Sequence, residues 1–67
     1  MNTFEVMDMT CGHCASTITQ AVKAVDPLAR VQVELSTHRV VVDQGSADAQ
    51  TLRQAIREAG YTPVPVA

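Results

Sequence analysis

Phe4 and Val6 take one side of the first few residues and Thr3 and Glu5 the other, a period-two alternation that predicts a strand at about 3–7. From Cys14 the rhythm changes. Ala15, Ile18, Ala21, Val22 and Val25 recur at helical spacing on one side, with Thr17, Gln20 and Lys23 turned away. Asp26-Pro27 ends that helix, because a proline ring crowds the preceding residue out of the helical region. Val31, Val33 and Leu35 then alternate with Gln32 and Glu34 in a second strand. Ser36-Thr37 turns the chain into a third, His38 to Asp43, with Val40 and Val42 inward and His38 an exposed strand residue. In the loop Gln44-Gly45-Ser46, Ser46 reads as the N-cap of a second helix, with Asp48 placed in its first turn. Leu52, Ala55, Ile56 and Ala59 form the buried face of that helix, and Gly60 ends it. Val64 and Val66 mark a short last strand. Pro63 and Pro65 have no N–H to give a ladder, so that strand belongs at a sheet edge.

The order β-α-β-β-α-β predicts an α+β, ferredoxin-like arrangement: a four-stranded antiparallel sheet with two helices on one face, in one domain over 1–67. Successive elements reverse direction. The loop after the first strand, the hairpin between the second and third, and the loop before the last therefore share one end. That brings the stretch holding Cys11 and Cys14 close to Gly60-Tyr61.

Composition narrows the function. The chain has 67 residues and two aromatics, Phe4 and Tyr61, so its core is aliphatic and near the lower size limit for a stable one. Such a chain has too little material for an enclosed site of several catalytic groups, and no enzyme is expected. With net charge −2 and scattered Lys and Arg, it offers no basic patch for nucleic acid or an anionic membrane. No apolar run approaches the ~20 residues of a spanning helix, and no signal peptide precedes the first strand, so membrane insertion is not expected. The reading is a soluble, cytoplasmic protein, with Met1 as the start of a complete small chain.

The chemistry gathers in Met9-Thr10-Cys11-Gly12-His13-Cys14, where strand pattern gives way to helix pattern. The first amides of a helix have no intrahelical acceptor and carry partial positive charge, which favours thiolate over thiol. Two such thiols can bind a soft metal or cycle through a disulfide. In a reducing compartment a lone pair does not read as a structural staple.

This run resembles the Met-x-Cys-x-x-Cys signature of the heavy-metal-associated domain, and Ala59-Gly60-Tyr61 resembles the second landmark of that family's bacterial copper-chaperone branch. Asp8 stands where a glycine often precedes the Met. The resemblance spans essentially the whole chain. It implies a cytoplasmic carrier that holds one Cu(I) between Cys11 and Cys14, with Met9 as the buried anchor of the loop and Tyr61 close to the metal. The implied partner is the soluble metal-binding domain of a copper-transporting P-type ATPase, with a copper-responsive regulator as a second recipient.

Metal chemistry points the same way. Cu(I) is soft and accepts two thiolates in near-linear geometry, whereas Zn(II) usually wants four ligands. Thr10 is neutral, where zinc-, cadmium- or lead-handling relatives commonly carry an aspartate. The nearest alternative is a carrier of Hg(II) or Zn(II) with the same fold. A thioredoxin-like redox role fits poorly, because that fold needs roughly 100 residues with its motif in a βαβ unit. His13 reads as solvent-facing; its alternatives are a third ligand within the monomer, or a ligand across a metal-bridged homodimer. Met7 falls on the outer parity of the first strand.

Overall fold

The computed structural model describes residues 2–66, and Met1, read above as the chain's start, lies outside them. Its elements run β1 (Asn2–Val6), α1 (Gly12–Val25), β2 (Arg30–Glu34), one 3-10 turn (Leu35–Thr37), β3 (Arg39–Asp43), α2 (Ala49–Glu58) and β4 (Pro63–Val66). The strands form one antiparallel sheet in the order β2-β3-β1-β4, the ferredoxin-like fold expected from the element order. β4 sits at an edge, where its two prolines cost the ladder least.

Register sorts the two faces of the sheet. Val33, Val40 and Phe4 stand side by side across β2, β3 and β1, as do Val31 and Val42. With Val6 and Met9 they meet Ile18 and Val22 of α1 and Leu52 and Ile56 of α2 in a core of aliphatic side chains around one phenylalanine. On the opposite face Glu34, Arg39 and Glu5 form a row of alternating charge. Opposite charges on directly facing strand positions favour this register over a slipped one.

Four local expectations are corrected. Leu35 leaves β2 for the 3-10 turn and is 38% exposed. His38 does not begin β3: it takes the left-handed conformation (φ 56°, ψ 39°) that closes the turn, and it is half-buried. Histidine is among the few side chains found there with any frequency. Val25 falls in the last turn of α1, just before the chain leaves the helix at Asp26, and is 46% exposed. The N-cap of α2 is Asp48, whose carboxylate accepts the Thr51 N–H at 2.8 Å, while Ser46 is exposed and lies outside the helix.

The helix starts late because the preceding loop is tied elsewhere. Asp26 is buried, and its Oδ2 accepts the Ala47 N–H at 2.9 Å, 21 residues away. Its carbonyl accepts the Ala29 N–H at 3.0 Å. One residue thus ends α1 and fastens the loop before α2. Gly45 passes so close that a Cβ there would lie 2.0 Å from Asp26 Oδ2 and 2.7 Å from Cγ. Gly45→Ala is therefore expected to destabilise the fold by about 1–3 kcal/mol through overpacking. Asp26→Ala, which strands the Ala47 N–H, is expected to cost a comparable ~1–3 kcal/mol. The double variant should cost less than the sum, because Asp26→Ala removes the carboxylate atoms that the new methyl at position 45 would strike. Urea denaturation of the three variants checks this.

Candidate metal site

Cys11 is the N-cap of α1, in extended conformation (φ −149°, ψ 169°), and its carbonyl accepts the first helical bond from the Ala15 N–H. Cys14 is then the third helical residue. An N-cap side chain folds back over that third position, the geometry by which Ser-x-x-Glu pairs meet at helix starts. The same geometry brings the two sulfurs to 3.3 Å from each other. Both are free thiols, Cys11 exposed and Cys14 half-buried. Gly12, between them, faces open space, so a side chain at that position would meet no obstacle.

The electrostatics favour the anion. The Cys14 thiol is lowered from an ordinary 9.0 to about 7, chiefly by a hydrogen bond from the Tyr61 side chain. Backbone hydrogen bonding from Thr10 and the Cys11 side chain add to this, against the opposing effect of burial. The reciprocal effect falls on Tyr61, whose hydroxyl is pushed up to about 12 by donating to Cys14, by burial and by the nearby negative charge.

Tyr61 reaches this position through the end of α2. Gly60, with φ at +102°, turns the chain; its N–H bonds to the Arg57 carbonyl (3.0 Å) and the Tyr61 N–H to the Ile56 carbonyl (3.3 Å). These are the two bonds of a Schellman termination, and the positive φ suits glycine alone at little cost. The ring that follows packs half-buried against the core.

Three further contacts hold the loop. Met9 is wholly withdrawn from solvent in the core. Its carbonyl accepts a hydrogen bond from His38 Nδ1 at 3.0 Å, and since a carbonyl only accepts, the proton sits on Nδ1. Asp8 accepts the Thr62 N–H at 3.3 Å, bridging to the strand that follows Tyr61. The loop after β1, the β2–β3 turn and the end of α2 thus meet at one end of the sheet. Sequence reasoning missed His38 and the tie through Asp8. A hint lay in the histidine at the end of a Ser-Thr turn, a place for left-handed backbone.

Thr10 and His13 are exposed, and Met7 is 60% exposed. The His13 carbonyl accepts the Thr17 hydroxyl at 3.0 Å, an ordinary helical contact. Among the described residues no group of three or more His, Cys, Asp or Glu gathers as a metal cluster. No helix among them is long and apolar enough to cross a membrane.

A ferredoxin-like sheet with two facing thiols at the start of its first helix defines a class of metal-binding domain. Residues 3–62 match the heavy-metal-associated domain, and the chain belongs to that family. It is 37% identical to the copper chaperone CopZ of Enterococcus hirae over 60 residues, 87% of either chain. It is 39% identical to copper-transporting ATPase 2 of Rhizobium meliloti over 59 residues, 85% of this chain but only 7% of that protein's length. Similarity to the periplasmic component of a mercuric transport protein from Pseudomonas fluorescens is 36% over 61 residues, 88% of this chain and 67% of the other. Among solved structures, the copper chaperone Atx1 from Synechocystis PCC6803 superposes with a TM-score of 0.89 at 34% identity, covering 92% of this chain and 97% of its own. With these relatives the chain is a metal-binding protein and not an enzyme.

Removing the tyrosine hydroxyl tests the electrostatics without metal. In Tyr61→Phe the first ionisation of the thiol pair is expected to rise from about 7 toward the ordinary 9.0, since the largest lowering contact is gone. The midpoint of alkylation rate against pH measures it, and at neutral pH the variant should react more slowly.

Proposed function

We propose that this protein is a Cu(I) carrier of the cytoplasm, with the thiolates of Cys11 and Cys14 as its ligands. The receiver is the soluble metal-binding domain of a copper-transporting P-type ATPase. The observation that carries the reading is the pair of free sulfurs 3.3 Å apart at an exposed loop, one of them lowered to about 7. A soft monovalent ion is satisfied by two thiolates, whereas Zn(II) favours four ligands. A near-linear two-thiolate site holds its sulfurs on opposite sides of the ion, farther apart than 3.3 Å, so loading opens the pair, and exposed Cys11 is the side free to move.

An open two-ligand site also suits delivery. An incoming thiolate can add to the metal before either resident sulfur leaves, so the ion passes through a three-coordinate intermediate and is never free. Tyr61 stabilises the anionic centre from one side without ligating it. A reducing compartment keeps so close a pair of thiols from closing into a disulfide. The similarity to a copper chaperone and to copper-transporting ATPases supports copper as cargo, and the similarity to a mercuric transport component makes Hg(II) the alternative to exclude.

The test is an anaerobic competition titration with Cu(I), Zn(II) and Hg(II) against chelators of known affinity. Cu(I) is expected to be preferred over Zn(II), with Cys11→Ser and Cys14→Ser each losing orders of magnitude in Cu(I) affinity while the fold survives. Apparent affinity should fall as pH drops, and more steeply below about 7, where protons compete for Cys14 as well. Thr10→Asp should strengthen Zn(II) binding by adding a hard, charged oxygen, and leave Cu(I) binding unchanged or weaker. Preference of the unmodified protein for Zn(II) under reducing conditions would overturn the copper reading, and a far tighter hold on Hg(II), with Cu(I) weakly bound, would replace it with the mercuric one.

A further inference from the structure

The two edges of the sheet differ in kind. β4 carries prolines at alternate positions, two amides that can never donate to a further strand. β2, at the other edge, has the sequence Arg-Val-Gln-Val-Glu, with neither proline nor glycine, and pairs on one side only, with β3. An unpaired row of N–H and C=O groups is a template for another strand. Arg30, Gln32 and Glu34 are exposed on the outer face, while Val31 and Val33 are half-buried on the helix side.

This edge complements itself. If a second β2 lies antiparallel beside the first and the axis passes through Gln32, Arg30 faces Glu34 of the other copy and Glu34 faces its Arg30. Val31 then faces Val33, and the two Gln32 side chains face each other. Each opposition is favourable: two opposite-charge pairs, two valine pairs and one amide pair. The charge order continues inward, because Arg30 lies opposite Asp43 and Glu34 opposite Arg39 on β3. Across the joined sheet one row would read Asp43, Arg30, then Glu34 and Arg39 of the other copy. The valines, left half-exposed in one copy, would be covered by their counterparts.

We propose that the β2 edge is a docking surface for a second copy of this chain, joined by antiparallel β2–β2 pairing into one eight-stranded sheet with a two-fold axis at Gln32. Such a self-complementary contact closes on itself and gives a dimer, not a fibre. It needs no metal. The Glu34 end of β2 leads through the 3-10 turn to His38 and the Met9 loop, so the antiparallel arrangement sets the two thiol pairs at opposite ends of the dimer. Both sites stay open, unlike those of a dimer bridged through its cysteines. Because five residues make a short interface, the association is weak and emerges with concentration.

Sedimentation velocity of the reduced, metal-free protein over a wide concentration range is the measurement. A dimer is expected to grow with concentration and weaken with added salt. Glu34→Arg and Arg30→Glu each place like charges opposite each other twice in the dimer, and each should weaken it roughly tenfold or more. Mixed in equal amounts, the two variants should associate again, since the two cations of one edge meet the two anions of the other. The charge-swapped double variant should also dimerise with itself. Both substitutions lie on exposed positions, and circular dichroism checks that the fold is kept. A protein monomeric at every concentration would overturn the proposal, as would a dimer indifferent to these charges. A dimer seen only with added metal and lost in Cys11→Ser would assign the contact to the thiol loop instead.

Discussion

Met9 is the pin on which the site depends. Two residues before an exposed thiol, its side chain is wholly withdrawn from water among Ile18, Leu52 and Ile56. Burying a methionine side chain is worth about 1.5–3 kcal/mol, which adds to the single turn bond from the Met9 N–H to the Val6 carbonyl (3.1 Å) in fixing a short loop. Thr10 then spans the distance from core to surface, and Cys11 emerges as the cap of α1. A polar residue in place of Met9 would leave the loop untethered and the sulfurs without a fixed separation, even with both cysteines present.

Around that pin the other contacts act as braces from separate parts of the chain. His38 holds the Met9 carbonyl from the β2–β3 turn, and Asp8 holds the backbone beyond Tyr61. The termination of α2 delivers the phenol to Cys14. None of these groups need touch a metal, yet each sets how far the loop can yield. The opposite end of the molecule is fixed independently by Asp26 and Gly45. Adjustment of the thiol loop is therefore a local matter, not a change in the sheet.

What the sequence disclosed follows from the range of each interaction. Ile18 and Val22, or Leu52 and Ile56, are spaced by helix geometry, so periodicity alone identified them as core. The meeting of Cys11 with Cys14 is equally local, an N-cap facing the third helical residue. Gly60 was legible as a helix end for the same reason. The misreadings were tertiary. Ser46 is as good an N-cap as Asp48 by residue type, and only the bond from Ala47 to Asp26, 21 residues back, decides between them. The partner of His38 lies 29 residues away, beyond the reach of any local pattern. Val25 has the right helical phase for the core but falls where the helix has reached its end.

The lowered ionisation of Cys14 carries a consequence for the bookkeeping of protons. Because the Cys14 thiol is lowered to about 7, part of its proton has gone near neutral pH before any ion arrives, so loading from solution releases fewer than two protons and acidifies its surroundings less than two ordinary thiols would. In the delivery proposed above, transfer between two such pairs goes further. Each proton displaced at the receiver is matched by one regained at the donor, provided both pairs ionise alike. The equilibrium of hand-over then loses its dependence on pH, although loading from solution keeps its own. Tuning the phenol–thiolate contact in one partner and not the other would break that balance and make the direction of travel follow the acidity of the medium.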